Sequence, residues 1–213
     1  MKSSNRFKSV VFDVDGTLIS EASSWVLVHN YFGTAAQAKQ NLMRYEKGEI
    51  DYPTFMRSDI SLWPKRLQLQ DIKKILSKYT LDPDAKPVIE KLRSAGIKVV
   101  FISAGIDTLT EQVASVLAPD DYLANGLEID DEGYLTGNGI FRVDLINKQE
   151  AMKKILDRLS CPYSACVAVG DSRFDVSMLK SAGCGVAFKA EKILEESAHY
   201  RINDLRHLLE IVL

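Results

Sequence analysis

Short apolar segments alternate with helix-like segments over most of this chain, and this alternation limits the fold more than any other sequence feature. The segments 10–12, 97–102, 165–169 and 184–188 read as buried strands, and the stretches between most of them repeat apolar residues at helical intervals. Strands that alternate with helices form mainly parallel sheets covered on both faces. The sequence therefore predicts an α/β protein with a Rossmann-like, mainly parallel sheet and helices on both faces.

Residues 19–82 interrupt this alternation. They read as helices only, and two of the helices end at Gly33 and Gly48. About sixty residues bury too little surface for a strong independent core, so this segment is expected to pack on the rest of the chain as a lid. We predict a core domain formed by 1–18 and 83–213 and a small inserted α-helical cap domain formed by 19–82.

The carboxyl-terminal half adds smaller elements to this plan. A hairpin is expected over 123–137 with its turn at 131–133, because alternating residues flank an Asp-Glu-Gly sequence. Helices are expected over 147–159 and 173–181, and two short helices are expected after the strand 184–188. The strand 97–102 is expected to end at residue 103.

Composition excludes several classes of function. Hydrophobic residues make up 46% and charged residues 26% of the chain, which is typical of a globular protein, and the net charge of −2 gives no general attraction to nucleic acid or anionic membranes. No apolar run approaches the roughly 18 residues of a membrane span. Asp13 and Asp15 interrupt any signal-peptide core behind the basic segment 1–6. We predict a cytoplasmic protein that binds neither nucleic acid nor membrane, and its oligomeric state stays open.

Two carboxylates follow the first strand directly. Asp13 and Asp15 point the same way if the strand conformation persists, and two unit charges about 4 Å apart repel by roughly 4 kcal/mol at an effective dielectric near 20. Gly16 then breaks the strand, and Thr17 places a hydroxyl beside both carboxylates. Such a pair is tolerated where chemistry or a cation uses it. The pattern indicates metal-assisted phosphoryl transfer.

A hydroxyl and a lysine stand at two further strand or helix ends. Ser103 follows a buried strand in the sequence Ser103-Ala104-Gly105, where its hydroxyl and the nearby backbone N–H groups can hold phosphate oxygens. Lys148 lies in the first turn of a helix, where a cation opposes the helix dipole. That misfit indicates an anionic partner.

A second acid pair follows the strand 165–169. Asp171 can cap the next helix, and Asp175 lies one turn further along on the same face. Ligands of open parallel sheets bind at the carboxyl ends of the strands. We therefore expect all four groups of residues to meet in one site.

The order of acid pair, hydroxyl, lysine and acid pair resembles the haloacid-dehalogenase-like hydrolase superfamily. The helical insertion after the first motif resembles the cap of its phosphoserine-phosphatase-like branch. The sequence Val169-Gly170-Asp171 and the 123–137 hairpin look like that branch as well, and the segment Ser23-Ser24-Trp25 is similar to its archaeal members. The resemblance covers nearly the whole chain.

This resemblance implies a phosphatase acting on a small phosphorylated metabolite through an aspartyl-phosphate. Asp13 would be the nucleophile and Asp15 the general acid/base, which agrees with the chemistry that carboxyl groups can perform. Mg²⁺ would be held by the Asp13 carboxylate, the Asp15 backbone carbonyl and Asp171. The substrate phosphate would lie against Ser103, Ala104 and Lys148, with Thr17, Gly105 and Asp175 in supporting positions.

The cap departs from the pattern of the branch. Phosphoserine phosphatases hold the substrate amine with a cap glutamate and its carboxylate with a cap arginine. An ungapped alignment places Ala22 and Asp59 at those positions, with Glu21 and Arg57 close by, and Phe174 stands where the branch usually has asparagine. An aspartate repels a substrate carboxylate. These differences argue against phosphoserine as the substrate.

Several alternatives remain open in the sequence. The aromatic residues of the insertion either line a pocket for a bulkier or less charged leaving group or form a plain helical core; they include Trp25, His29, Tyr52, Phe55 and Trp63. The same aspartyl-phosphate also suits a phosphotransferase or phosphomutase, in which an acceptor hydroxyl replaces water. A non-enzymatic module that accepts phosphate on aspartate is a third possibility.

Overall fold

A mainly parallel sheet forms the centre of the protein in the computed structural model, which describes residues 6–190 and 192–213. Residues 1–5 of the basic amino-terminal segment lie outside the described residues. The strands are β1 (Ser9–Phe12), β2 (Lys98–Ile106), β3 (Asp121–Ile129), β4 (Leu135–Ile140), β5 (Cys166–Gly170), β6 (Cys184–Phe188) and β7 (Tyr200–Ile202). They form one seven-stranded sheet in the order β4-β3-β2-β1-β5-β6-β7, in which only the β3–β4 pair is antiparallel.

Helices cover both faces of this sheet, because β1, β5 and β6 are buried at every position. The helices are α1 (Ser24–Phe32), α2 (Ala35–Glu46), α3 (Tyr52–Ile60), α4 (Leu69–Leu76), α5 (Ala85–Ser94), α6 (Asp107–Leu117), α7 (Lys148–Arg158), α8 (Val176–Ser181), α9 (Lys192–Glu195) and α10 (Leu208–Val212). Within the described ranges, none of them has the length and apolar character needed to cross a membrane. The predicted α/β class is confirmed.

Three elements differ from the sequence prediction. Strand β2 continues to Ile106, past the predicted end at residue 103, because the strand keeps pairing with β3 across a register shift. A short strand, β7, precedes the terminal helix, where the exposed Tyr200 and Arg201 hide the strand pattern. The helix predicted over 173–181 begins with a 3₁₀ turn at Arg173–Asp175 and is α-helical only in α8.

Helices α1 to α4 form the insertion between β1 and α5, and the two ends of this insertion lie side by side. Ile19 and Leu81 form an antiparallel bridge, and the Ser20 backbone N–H donates to the Thr80 carbonyl at 2.9 Å. Glu21 completes the junction, because both of its carboxylate oxygens accept from the Thr80 N–H. The chain therefore enters and leaves the helical segment through one narrow connection.

Candidate active site

The order of the strands brings the predicted site residues to one edge of the sheet. Phe12, the last residue of β1, pairs with Phe101 of β2 on one side and with Val169 of β5 on the other. The residues that follow these positions include Asp13, Ser103 and Asp171, which consequently emerge beside one another at the carboxyl ends of three adjacent strands. Lys148 joins them as the first residue of α7.

Lys148 lies between two carboxylates. Its Nζ is 2.9 Å from Asp13 Oδ1 and 2.7 Å from Asp175 Oδ1, and all three side chains are buried. Burial acts to lower the pKa of Lys148, but Asp13 and Asp175 outweigh that effect and raise it. Burial and the charge of Asp175 raise the pKa of Asp13 well above its usual range. The lysine therefore stays charged and neutralises only part of the cluster.

Asp171 completes the anionic cluster. Its carboxylate and those of Asp13 and Asp175 have oxygen atoms that all lie within 4.8 Å of one another. Thr17 Oγ1 donates to Asp171 Oδ1 at 3.1 Å, and burial together with Asp175 raises the pKa of Asp171 to about 7. Gly16 permits this approach, because a Cβ atom there would lie 2.3 Å from Asp171 Oδ2 and the residue has φ +81°.

The donor atoms of this cluster fit a hard divalent cation. Asp175 Oδ2 already accepts from the backbone N–H groups of Asp171 and Ser172 and from the Ser172 hydroxyl, and Asp175 Oδ1 accepts from Lys148. The carboxylates of Asp13 and Asp171 retain the larger capacity to bind a metal. Two carboxylates together with phosphate and water are the usual environment of Mg²⁺.

Asp15 is held apart from the lysine by the first turn of α1. Its Oδ2 accepts from Ser24 N at 2.6 Å and from Ser24 Oγ at 2.8 Å, and Ser24 Oγ in turn accepts from Ile106 N. Burial raises the pKa of Asp15, although the Ser24 hydrogen bonds act to lower it. Sequence reasoning missed Ser24 as a partner of Asp15, because serines near the start of a helix usually serve as caps, as Ser23 does here.

The segment after Ser103 is tightly packed against Asp15. Ser103 Oγ accepts from Gly105 N at 2.9 Å, and a Cβ atom on Gly105 would lie 2.3 Å from Ser24 Oγ and 2.6 Å from Asp15 Oδ2. The N–H groups of Gly105 and Ile106 are thus already paired, which leaves the Ser103 hydroxyl and the Ala104 region to face an anion.

The carbonyl of Ala104 joins the insertion to the sheet. It accepts from Trp25 Nε1 at 3.1 Å, from Tyr52 Oη at 2.8 Å and from Asn125 Nδ2 at 3.0 Å. Asn125 also accepts from the backbone N–H groups of Arg142 and Val143, so it links the Ala104 carbonyl to the segment that follows β4. Its role was missed because an asparagine in a hairpin sequence reads as a turn residue.

A cavity of about 420 Å³ lies between the sheet edge and the insertion. Its floor contains six predicted site residues: Asp13, Asp15, Ser103, Ala104, Gly105 and Lys148. Its walls come from α1, α2 and α3, from Ala22 and Ser23, and from Leu145, Ser172 and Phe174. The other three predicted residues contact the floor residues or each other. Asp171 lies close to Asp13 and accepts from Thr17, and Asp175 forms an ion pair with Lys148.

The four cap positions singled out in the sequence separate into two groups. Ala22 and Asp59 line the cavity. Glu21 instead binds Thr80 at the junction of the insertion, and Arg57 is exposed on α3. Neither Glu21 nor Arg57 therefore lines the cavity in place of the cap glutamate and cap arginine that the alignment replaces with Ala22 and Asp59.

Aromatic residues of the insertion line the cavity and also belong to the helical core. Trp25, His29, Tyr52 and Phe55 line the cavity while also belonging to the buried core or packing against it. Trp63 lies behind the wall and stacks on Trp25 at 5.6 Å between ring centroids. The pocket and the helical core are therefore one continuous set of side chains.

Comparison with known proteins agrees with this geometry. A family model described as haloacid dehalogenase-like hydrolase matches residues 10–180. The chain is 32% identical over 206 residues to the phosphoserine phosphatase of Idiomarina loihiensis, which covers 95% of this chain and 91% of that protein. It is 31% identical to the phosphoserine phosphatase of Streptomyces coelicolor, covering 91% of this chain and 47% of that longer protein.

The structural comparison extends over the same length. A solved phospho-aspartyl intermediate analogue of phosphoserine phosphatase superposes with a TM-score of 0.82 at 30% identity, covering 97% of this chain and 99% of the other. Both kinds of comparison thus extend over more than nine tenths of the chain. The chain belongs to the haloacid dehalogenase-like hydrolase family and is a phosphoserine-phosphatase-like enzyme within it.

Proposed function

We propose that the chain is a cytoplasmic, Mg²⁺-dependent phosphomonoester hydrolase that acts on a small phosphorylated metabolite through an aspartyl-phosphate. One observation carries this proposal: the Asp13 carboxylate lies on the cavity floor, 2.9 Å from Lys148 Nζ and beside Asp171. The proposed nucleophile Asp13, the cation Lys148 and the proposed metal ligand Asp171 are thereby grouped where the phosphate of a substrate can enter the cavity.

In the first half-reaction, an Asp13 oxygen attacks the phosphorus atom and the bond from phosphorus to the ester oxygen breaks. Asp15 in its protonated form gives its proton to the departing alkoxide, and its raised pKa favours that form. In the second half-reaction, Asp15 takes a proton from water, which attacks phosphorus and releases phosphate from Asp13.

Charge stabilisation comes from groups fixed before the substrate arrives. Lys148 and the Ser103 hydroxyl would hold the equatorial oxygens of the transferring group, with Ala104 beside them. Asp13, the Asp15 carbonyl and Asp171 would hold Mg²⁺, which supplies the remaining positive charge when bound. Asp175 keeps Lys148 in place through its 2.7 Å ion pair, and Thr17 does the same for Asp171.

The proposed domain arrangement follows from the cavity. Residues 1–18 and 83–213 would form the catalytic core, and residues 19–82 would form the cap that closes over it. Hydrogen bonds from Trp25 and Tyr52 to the Ala104 carbonyl support this arrangement, because they join the helical insertion to the floor. Closure of such a cap excludes bulk water from the reacting groups.

The decisive experiment is a hydrolysis assay with phosphorylated metabolites, in Mg²⁺ and in EDTA. We expect phosphate release that requires Mg²⁺, and we expect a trapped complex with beryllium fluoride that Asp13→Asn does not form. Full activity in EDTA, or normal turnover by Asp13→Asn, would refute the proposal.

Product analysis separates hydrolysis from transfer. The same reaction is run with and without an added acceptor alcohol, and all phosphorylated products are quantified. Free phosphate as the main product in both reactions supports hydrolysis. A phosphorylated acceptor as the main product would make the chain a phosphotransferase.

A further inference from the structure

The wall of the cavity holds a buried polar pair that the proposed chemistry does not use. His29 and Asp59 are only 1% and 2% exposed, yet both line the cavity. His29 Nε2 lies 3.2 Å from Asp59 Oδ2 without the alignment of a hydrogen bond, and it has no other hydrogen-bond partner among the described residues. A buried, unpaired donor next to a carboxylate is costly unless a ligand uses it.

The neighbours of His29 define where its proton lies. Trp63 Nε1 is 3.2 Å from His29 Nδ1 and can only donate, so Nδ1 accepts. The Thr34 hydroxyl, at 2.8 Å, contacts the same nitrogen. His29 therefore presents an Nε2–H group. Asp59 presents its Oδ2 atom to that group, while its Oδ1 atom accepts from Asn41 Nδ2 at 2.8 Å.

This pair selects among the possible substrate groups. A carboxylate can accept from Nε2–H but is repelled by Asp59, and an ammonium can donate to Asp59 but leaves Nε2–H unpaired. A hydroxyl satisfies both, because it accepts from one residue and donates to the other. The pair thus favours a neutral group that is both donor and acceptor.

The rest of the wall favours an apolar substrate body. Trp25, Val26, Leu42, Phe55 and Phe174 line the same cavity as the polar pair. The described residues that line the cavity include two lysines and no arginine. Lys148 is occupied by Asp13 and Asp175, and Lys39 is exposed to solvent. No buried cation is therefore available for the carboxylate of an amino acid.

We propose that the substrate is the phosphate ester of an uncharged, largely apolar alcohol, aromatic or branched, whose far end bears a hydroxyl bound by His29 and Asp59. This inference rests on the proposed phosphatase function and deepens it. It assigns substrate selection to the two buried residues and excludes phosphoserine as the preferred substrate.

A matched substrate series tests the proposal on the unmodified enzyme. The compounds are 2-phenylethyl phosphate and its para-hydroxy, para-carboxy and para-aminomethyl derivatives, which differ only at the far end, with phosphoserine for comparison. We expect kcat/KM to rise about tenfold with the hydroxyl, the value of one hydrogen bond to a charged group. We expect it to fall by roughly a hundredfold with the carboxylate, since like charges repel. A faster reaction with phosphoserine, the carboxylate or the amine would overturn the proposal.

Asp59→Asn tests the residue directly. The variant keeps the shape of the side chain and should reduce the penalty on the para-carboxy substrate by at least about tenfold. Asp131→Asn, an exposed aspartate in the β3–β4 turn, is the matched control and should leave all ratios unchanged. An unaltered carboxylate penalty in a folded Asp59→Asn variant would remove Asp59 from the proposal.

A binding experiment separates this inference from the phosphatase proposal. The two tryptophans of the chain are Trp25, which lines the cavity, and Trp63, which stacks on Trp25, so bound ligand changes the intrinsic fluorescence. We expect 2-(4-hydroxyphenyl)ethanol to change it at lower concentration than 2-phenylethanol, with serine having no effect. If no phosphate ester is hydrolysed, the phosphatase proposal fails, and this titration alone then tests which ligand group the cavity binds. Equal or tighter binding of serine contradicts the pocket assignment.

Discussion

Lys148 shows at the scale of one residue how this site tolerates its own charge. Two buried carboxylates, Asp13 and Asp175, and the half-buried Asp171 lie around the buried ammonium group of Lys148, and burial raises the pKa of Asp13 and Asp171. The lysine opposes this increase at Asp13 by pairing with its carboxylate directly. Each member of the cluster therefore has an effect that substitution can isolate.

Asp13→Asn removes the proposed attacking oxygen and one anion from this crowded region. We expect turnover to fall by at least about a thousandfold, because no other carboxylate is positioned to replace it. The fold should remain, with a thermal midpoint equal to or above that of the parent, since like-charge repulsion decreases. Steady-state kinetics and calorimetry measure both quantities, and a large loss of thermal stability would contradict the assignment.

Lys148→Met has the opposite effect on stability. It leaves Asp13 and Asp175 buried without their cation, so we expect the free energy of unfolding to fall by about 3 kcal/mol in the absence of metal. Lys153→Met, at an exposed position on the same helix, is the control and should change stability by less than about 0.5 kcal/mol. Urea denaturation provides the measurement. Equal effects of the two substitutions would show that the ion pairs contribute little.

At the scale of elements, the Ala104 carbonyl holds α1 and α3 against the end of β2. Tyr52 and Trp25 reach it from the insertion, and Ser24 binds both Asp15 and Ile106 from the first turn of α1. Asp15, the proposed acid/base group, and the end of β2 thus share contacts with the same helix. Movement of α1 away from the sheet would remove the hydrogen bonds that hold Asp15.

Tyr52→Phe tests this connection by deleting one hydroxyl. The loss of its 2.8 Å hydrogen bond should cost about 1 kcal/mol and loosen the insertion, which raises KM more than it lowers kcat. Limited proteolysis should cut residues 19–82 faster than in the parent. Tyr31→Phe, on an exposed tyrosine of α1, is the matched control. Proteolysis at the parental rate would mean that the other donors suffice.

At the scale of the whole molecule, the acidic cluster makes stability depend on pH. The pKa of Asp171 rises from 3.8 to about 7 in the fold, so the native state binds more protons than the unfolded state between those values. The metal-free protein should therefore lose stability as pH increases from about 4 to about 7. Mg²⁺ should restore it above pH 7, because it binds only the native site.

Asp171→Asn isolates this contribution. The metal-free variant should lack part of the decrease in stability toward pH 7 and should gain little from Mg²⁺. Thermal midpoints measured from pH 4 to pH 8, with and without Mg²⁺, provide the comparison, and Asp131→Asn again serves as the control. A parallel pH profile for variant and parent would mean that Asp171 is not the group responsible.

Much of this organisation was predictable because it depends on short-range patterns. Apolar runs defined β1, β5 and β6, and the order of parallel strands then placed Asp13, Ser103 and Asp171 together. Contacts across the chain were not predictable in the same way. Ser24 and Asn125 form their key hydrogen bonds with Asp15 and Ala104, residues 9 and 21 positions away, and neither sequence neighbourhood indicates it. Strand β7 was not predicted because only Ile202 of its three residues is buried.

The bridge between Ile19 and Leu81 has a consequence for how this enzyme can change. A segment that begins and ends at adjacent points can be replaced by another segment without moving the ends of β1 and α5 apart. A tight turn in place of residues 20–80 would rejoin the chain but would remove Ser24, Trp25 and Tyr52, which bind Asp15 and the Ala104 carbonyl. A new specificity can therefore be acquired by exchanging the helices, provided that these three contacts are kept.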